Sequence, residues 1–195
     1  VLSEELIKTL DMVVLSPGVP TDIPIVEEFK KNGIPVWGEI ELAYRLSKGR
    51  VVAITGTNGK TTTTTLVGKL MENYFESVFV VGNIGKPYTK VANQMSDDTV
   101  TVAEISSFQL ETVHEFKPVV SAILNITPDH LDRHHTMEAY IGAKCDVTKN
   151  QTQNEICVLN YEDEVLREFA VTCPAKVVFF SSKRKLVDGF YYADK

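Results

Sequence analysis

The sequence has little of what marks a secreted, membrane or nucleic-acid-binding protein. Its 195 residues include three cysteines, Cys145, Cys157 and Cys173, an odd number with no CxxC spacing. That argues against a disulfide framework or a zinc knuckle and for free thiols in a cytoplasmic protein. No apolar run approaches the roughly 20 residues of a membrane-spanning helix. Residues 1–10 carry charges throughout, without the long apolar centre of a signal peptide. Positive charge is not in excess, since 20 Lys and Arg stand against 26 Asp and Glu for a formal net charge of −6. Such a chain lacks the basic face that binds nucleic-acid phosphates, but it leaves room for a local nucleotide pocket. There is no initiator Met, and Asp188-Gly189 between apolar runs reads as a two-residue hairpin turn with one short arm. The chain is therefore expected to be a piece of a longer protein.

What is present suits a globular α/β fold. With 44% hydrophobic and 24% charged residues, the chain can fill one good core, or one domain plus part of another. Extended apolar segments recur at 12–16, 51–55, 77–81, 99–105, 119–126, 156–160 and 177–181. Helical patterns lie between several of them, which predicts a largely parallel sheet flanked by helices. Leu66, Val67, Leu70, Met71 and Tyr74 suggest the buried face of one helix. A second helix is expected from Thr136, as N-cap, to about Lys149, and a third over 163–170. Residues 24–47 read as helix, short strand and helix, and Ser47-Lys48-Gly49 as a joint. A domain boundary is placed near 47.

The stretch "VVAITGTNGKTTTTTLVGKL" (51–70) joins a strand to a helix through two glycines. Gly56 and Gly59 permit backbone conformations in which the N–H groups of Thr57, Asn58 and their neighbours turn toward an anion. The helix start adds unpaired donors and partial positive charge. Lys60 would reach the β- and γ-phosphates and Thr61 would offer a hydroxyl to Mg²⁺. The usual GxxxxGK[ST] spacing is not kept, because its first glycine falls at Ile54. The plainer alternative is a tight turn with a surface lysine. Thr62 stands between chemistry and packing, and the remaining threonines suit a helix in which hydroxyls bond back to the preceding turn.

Acidic and imidazole groups follow at later strand ends. Glu104, at the end of an apolar strand in "TVAEISSFQLE", is placed to bind Mg²⁺, with Ser106 and Gln109 placed to bind a substrate; a solvated carboxylate is the alternative. "ILNITPDHLDRHH" crowds Asp129, His130, Asp132, Arg133, His134 and His135 after another strand. His130 is favoured as a second metal ligand, and His134 and His135 as surface or packing residues. Asn83 in "GNIGKP" and the loop "SPGVP" (Ser16, Pro17 and Gly18 at its start) could bind substrate or be plain turns. Lys144 on its own is a solvated helix lysine.

Together and in order, "SPGVP", "TGTNGKTT", "GNIGKP", "EISSFQLE", "NITPDHLDRH", "YIGAK" and "VLNYEDE" resemble the Mur ligase family, the ATP-dependent ligases that build the peptidoglycan stem peptide. The resemblance runs from about residue 10 to 165 and is most like the D-glutamate-adding branch. Other branches and folylpolyglutamate-type ligases are alternatives within enzymes, and a non-catalytic ATP-binding module is one outside them. The resemblance implies a P-loop-like ATP-binding central domain over 48–195, incomplete at its C-terminal end. It also implies that 1–47 ends a smaller Rossmann-like domain binding a UDP-linked substrate. By position, Gly56, Thr57, Asn58, Gly59, Lys60, Thr61 and Thr62 would hold the ATP phosphates. Asn160 and the neighbourhood of Ser181 would lie on the adenine side. Two Mg²⁺ ions would be held by Thr61, Glu104, His130 and a carbamylated Lys144. Ser16, Pro17, Gly18, Asn83, Ser106 and Gln109 would bind UDP-N-acetylmuramoyl-L-alanine, to which D-glutamate is added. Catalysis would involve Lys60, Glu104, His130 and Lys144. A cytoplasmic monomer without nucleic-acid or membrane partners is expected. The family's further C-terminal domain is missing from this chain, which alone is expected to be inactive.

Overall fold

Runs of β-branched and aliphatic residues build the strands, and the polar-punctuated segments between them build the helices. The computed structural model describes residues 4–192. Residues 1–3 and 193–195, the outer ends of the two expected domains, lie outside them. The elements in order are α1 (Glu4–Ile7), β1 (Val13–Leu15), α2 (Pro24–Lys31), β2 (Val36–Gly38), α3 (Glu39–Leu46), β3 (Arg50–Thr55), α4 (Lys60–Met71), β4 (Val78–Gly82), α5 (Tyr88–Val91), β5 (Val100–Glu104), α6 (Ser107–Leu110), β6 (Val120–Ile123), α7 (Leu131–His134), α8 (Met137–Cys145), β7 (Ile156–Asn160), α9 (Glu164–Ala170), β8 (Lys176–Ser181) and β9 (Phe190–Tyr191). The architecture is the expected α/β one, with a mostly parallel sheet flanked by helices.

Seven strands form one sheet in the order β4-β5-β3-β6-β7-β8-β9, every neighbouring pair parallel. The chain leaves β3 for β4 and β5 on one side, then crosses to β6 on the other. This reversal makes the C-terminal end of β3 a switch point, flanked by the ends of β5 and β6, where a crevice for ligands opens. β1 and β2 form a separate two-stranded parallel sheet, Val13 opposite Val36 and Leu15 opposite Gly38. Its own core is Ile7, Leu15, Val26, Phe29, Ile34 and Val36. The main core lies under the large sheet and takes in Ile40 and Ala43 of α3 together with Tyr88, Phe116, Ile123, Tyr140 and Leu159. All three cysteines are free thiols.

The structure corrects two local readings. The inner face of α4 is Thr64, Val67, Gly68 and Met71, whereas Leu66, Leu70 and Tyr74 are exposed. Small residues win that face because the helix sits close to the sheet: a side-chain carbon at Gly68 would press into Val80. Leu66, two residues beyond Thr64, is carried about 200° round the helix and points away. The Thr64 hydroxyl is buried without a partner, so packing and not a back-bond accounts for it. At the other end, Asp188-Gly189 is not a hairpin turn, because β9 runs parallel to β8 with Phe180 opposite Phe190. Gly189, at φ 127, lies so close to the Phe179 carbonyl that a side chain there would collide with it.

One carboxylate fastens α3 to the segment that leads from α6 into β6. Glu41 is fully buried and accepts the backbone N–H groups of His114 (2.8 Å), Glu115 (3.0 Å) and Phe116 (3.1 Å), and Arg45 Nε at 2.7 Å. Burial alone would raise its pKa, but the His114 amide, Arg45 and the next two amides outweigh it and hold the carboxyl below its usual range. A group so depressed adds stability at neutral pH that is lost as pH falls through its lowered pKa. Glu41→Gln should therefore lower unfolding stability by about 2 kcal/mol at neutral pH, by facing an amide NH₂ toward N–H donors. Urea melts of both proteins across pH should show the gap closing as the wild-type carboxyl protonates. A gap that stays constant into acid would contradict this.

Candidate functional site

The loop between β3 and α4 is shaped by its two glycines. Gly56 has φ 143 and Gly59 φ 84. A side-chain carbon on Gly56 would lie 3.1 Å from Leu124 Cβ and 3.3 Å from the Asn125 nitrogen, so the chain after β6 seals the loop's back. Thr57 N donates to Asn125 O at 2.9 Å, Asn58 N to Asn125 Oδ1 at 2.8 Å, and Asn125 Nδ2 returns a bond to Asn58 O at 3.0 Å. Thr57 Oγ1 accepts Thr127 N at 3.0 Å and lies 3.1 Å from the Tyr140 hydroxyl. α4 begins at Lys60 with no side chain capping its first turn. That end is a ready anion site, with free N–H donors and the positive end of the helix dipole. Thr61 and Thr62 are exposed on it.

Two lysines meet on one backbone oxygen. Lys60 Nζ donates to Gly56 O at 3.0 Å and Thr57 O at 2.9 Å, and Lys144 Nζ donates to Gly56 O at 2.9 Å. Lys144 is not the solvated lysine its position on α8 suggests; it is only 2% exposed and packs over the Tyr140 ring at 4.6 Å. The helix carries it beneath the phosphate-type loop, where its stem fills the core. Burial, then the nearby Lys60 charge, push its pKa down to about 8, against a weaker pull from Asp129.

Glu104 ends β5 beside this loop, in register with Ile54 of β3. It is buried; Oε1 accepts Asn83 Nδ2 at 2.9 Å and Oε2 has no partner. Asn83 is also held through its own N–H to Glu104 O, at 2.9 Å. Gly82 before it has φ 100 and backs onto that same carbonyl too closely for any side chain. A cleft of about 390 Å³ brings together Pro17, Glu39, Asn83, Ile84, Pro87 and Gln109, so three of the expected substrate-binding residues, two from separate loops and one from α6, share one space. Ser106 caps α6: its Oγ accepts Gln109 N at 3.3 Å, and Ser106 N donates to Gln109 Oε1 at 2.9 Å. The capping box therefore occupies both side chains, leaving the Gln109 amide NH₂ for a ligand. Ser16 and Gly18 are exposed in the loop after β1.

The third strand end is less closed. β6 is shorter than its apolar run, and residues 124–127 are spent on the loop contacts above. His130 takes a left-handed conformation (φ 50), is half-exposed, and lies 3.5 Å from Asp129 Oδ2 with its ring 4.9 Å from Phe108. His134 is buried, 2.9 Å from Ser107 Oγ and stacked on Phe108; burial holds its pKa below the usual value, with Glu111 pulling the other way. His135 is exposed. Asn160 donates to Leu124 O at 3.0 Å, which places it beside the same segment, while Ser181 donates to Glu162 Oε1 at 2.6 Å farther along the sheet. Asn125 and Asp163, whose Oδ2 accepts Ile126 N at 2.7 Å, are the positioning groups that sequence reasoning passed over. Asn125 was findable by the rule that singled out Glu104, a polar residue closing an apolar run; Asp163 gave only a helix-cap signal.

The chain is similar to known proteins along most of its length. The Mur ligase middle domain matches residues 54–193. The UDP-N-acetylmuramoylalanine--D-glutamate ligase of Lachnoclostridium phytofermentans is 62% identical over 97% of this chain and 42% of its own length. That of Lachnospira eligens is 62% identical over 96% of this chain and again 42% of its own. The chain thus spans less than half the length of these curated relatives. Among solved structures, the MurF ligase of Thermotoga maritima in complex with ADP shares the fold at 22% identity, with a TM-score of 0.58 over 91% of this chain and 49% of that one. With most of its residues inside the middle-domain match, the chain belongs to the Mur ligase family.

Proposed function

We propose that the full-length protein is an ATP-dependent ligase that joins D-glutamate to UDP-N-acetylmuramoyl-L-alanine in peptidoglycan precursor synthesis. The carrying observation is the glycine loop at the sheet's switch point with Lys60 and Lys144 converging on Gly56 O. The choice of D-glutamate is supported by the names of the relatives at 62% identity. In this reading residues 1–47 end the unit that binds the UDP-linked substrate, and 48–195 form the central ATP-binding unit. The protein works in the cytoplasm as a monomer on small molecules. Among the described residues no helix is long and apolar enough to cross a membrane.

The residues fit the chemistry. The uncapped amides at the start of α4 cradle the phosphates, while those of Thr57 and Asn58 stay bonded to Asn125 and hold the loop open, and Lys60 leaves its carbonyls for the transferring phosphoryl group. Substrate in the Pro17–Asn83–Gln109 cleft presents its alanyl carboxylate to the γ-phosphate, giving an acyl phosphate and ADP. The D-glutamate amine then displaces phosphate and the amide forms. The buried, unpartnered Glu104 Oε2 suits a magnesium ligand, as does the Thr61 hydroxyl on α4. Lys144, with its pKa pushed down to about 8, offers a larger fraction of the neutral amine that carbamylation by CO₂ requires than an ordinary lysine does. With His130 it would hold a second ion. When bound, Mg²⁺ spreads the charge of the phosphoryl group in transfer.

In the full-length enzyme Lys60→Ala should cut ligation by about a hundredfold or more, read as phosphate release with all three substrates, because charge stabilisation at the transferring group is lost. Near-normal turnover would remove the phosphate-loop assignment. Lys144→Ala should be as inactive, with short-chain carboxylates restoring part of the rate. Wild-type activity in that variant, with no response to added carboxylate, would leave Lys144 a packing residue.

A further inference from the structure

We propose that Glu111 is a positioning residue for the UDP-substrate side of the site, a hub whose carboxylate locks three ligand-bearing segments to one another; this rests on the ligase reading above. Glu111 caps the end of α6, whose N-cap is Ser106 and which carries Gln109. Its Oε2 accepts Arg133 Nη2 at 2.8 Å and Thr21 Oγ1 at 3.4 Å, and its Oε1 lies 3.5 Å from His134 Nδ1. The same Arg133 Nη2 also donates to Val19 O at 3.1 Å. One carboxylate thus joins the 16–21 loop, α6 and the 129–135 segment, which lie far apart in sequence. Arg133 also stacks over Phe108 at 5.2 Å, and Phe108 is the ring against which His130 rests.

The charge matters here, not only the shape. The Arg133 and Glu111 side chains are 16% and 15% exposed, so an unneutralised guanidinium under the 16–21 loop would be poorly solvated. Gln at 111 keeps an acceptor but not the countercharge, and Arg133 then has cause to leave Val19 for water. Glu111 is not among the residues lining the Pro17–Asn83–Gln109 cleft, so its effect on a ligand there is indirect. The phosphate loop is held by Asn125, Thr127 and Tyr140 instead, so ATP should feel little of the change.

The test uses the full-length enzyme and the variants Glu111→Gln, Arg133→Gln and both together. Each single variant should raise KM for UDP-N-acetylmuramoyl-L-alanine about tenfold and leave KM for ATP within about twofold, as loss of a charge-assisted bond predicts. The double variant should be no worse than the singles, since both remove one interaction. Backbone amide exchange at Val19, whose N–H closes a turn onto Ser16 O at 2.9 Å, should quicken in all three. A parallel rise in both KM values overturns the proposal, as does unchanged exchange at Val19. A wild-type enzyme inactive on this substrate would defeat the ligase reading, while exchange at Val19 would still decide the hub. If Glu111→Gln does not fold, Arg133→Lys keeps the charge without the forked reach to Val19, and the same two readouts apply.

Discussion

The candidate site depends on the end of β3, where an uncharged carbonyl, Gly56 O, accepts from two ammonium groups. Two like charges on one oxygen are eased because Lys60 is only partly buried and burial, with the Lys60 charge, pushes the Lys144 pKa down to about 8. A phosphate drawn into the loop relieves this crowding, since it offers Lys60 a better partner than the loop's own carbonyls. The protein thus holds two cationic groups on neutral carbonyls, without a countercharge, which is how a preorganised anion site is built. Leu124 and Asn125 behind the loop keep it from collapsing around the lysines.

Away from the loop, two carboxylates, one fully buried and one partly buried, organise the chain. Glu41 gathers three consecutive amides and an arginine, and Glu111 gathers an arginine, a threonine and a histidine. Neither sits in apolar surroundings without partners, so each specifies one arrangement of its neighbours where hydrophobic contact would allow several. The apolar cores on either side supply most of the stability, and the carboxylates set the alignment between them.

Much of this could be read from the residues. Glycine, lysine and glutamate at the ends of apolar runs identify themselves, because strand ends in α/β sheets face the ligand crevice and the local pattern carries the information. The strand order could not be read, since nothing local to β5 says that it lies between β4 and β3. For the same reason the burial of Lys144 was hidden: one turn of helix looks alike whether its lysine meets water or the underside of a loop. The inner face of α4 was misjudged because hydrophobicity was weighed above size, and against a close-lying sheet the smaller residues pack better. The parallel β9 escaped because a turn signal describes two residues, whereas pairing direction depends on where the chain has travelled.

The Glu41 anchor also bears on where the protein can be cut. A shortened version beginning at the joint near Ser47 would discard Ile40 and Ala43 from the main core and strand the amides of His114, Glu115 and Phe116 without an acceptor. Any excised ATP-binding unit meant to stand alone has to start ahead of Glu39. In this fold α3 precedes the joint near Ser47 in the chain yet packs into the core of the large sheet.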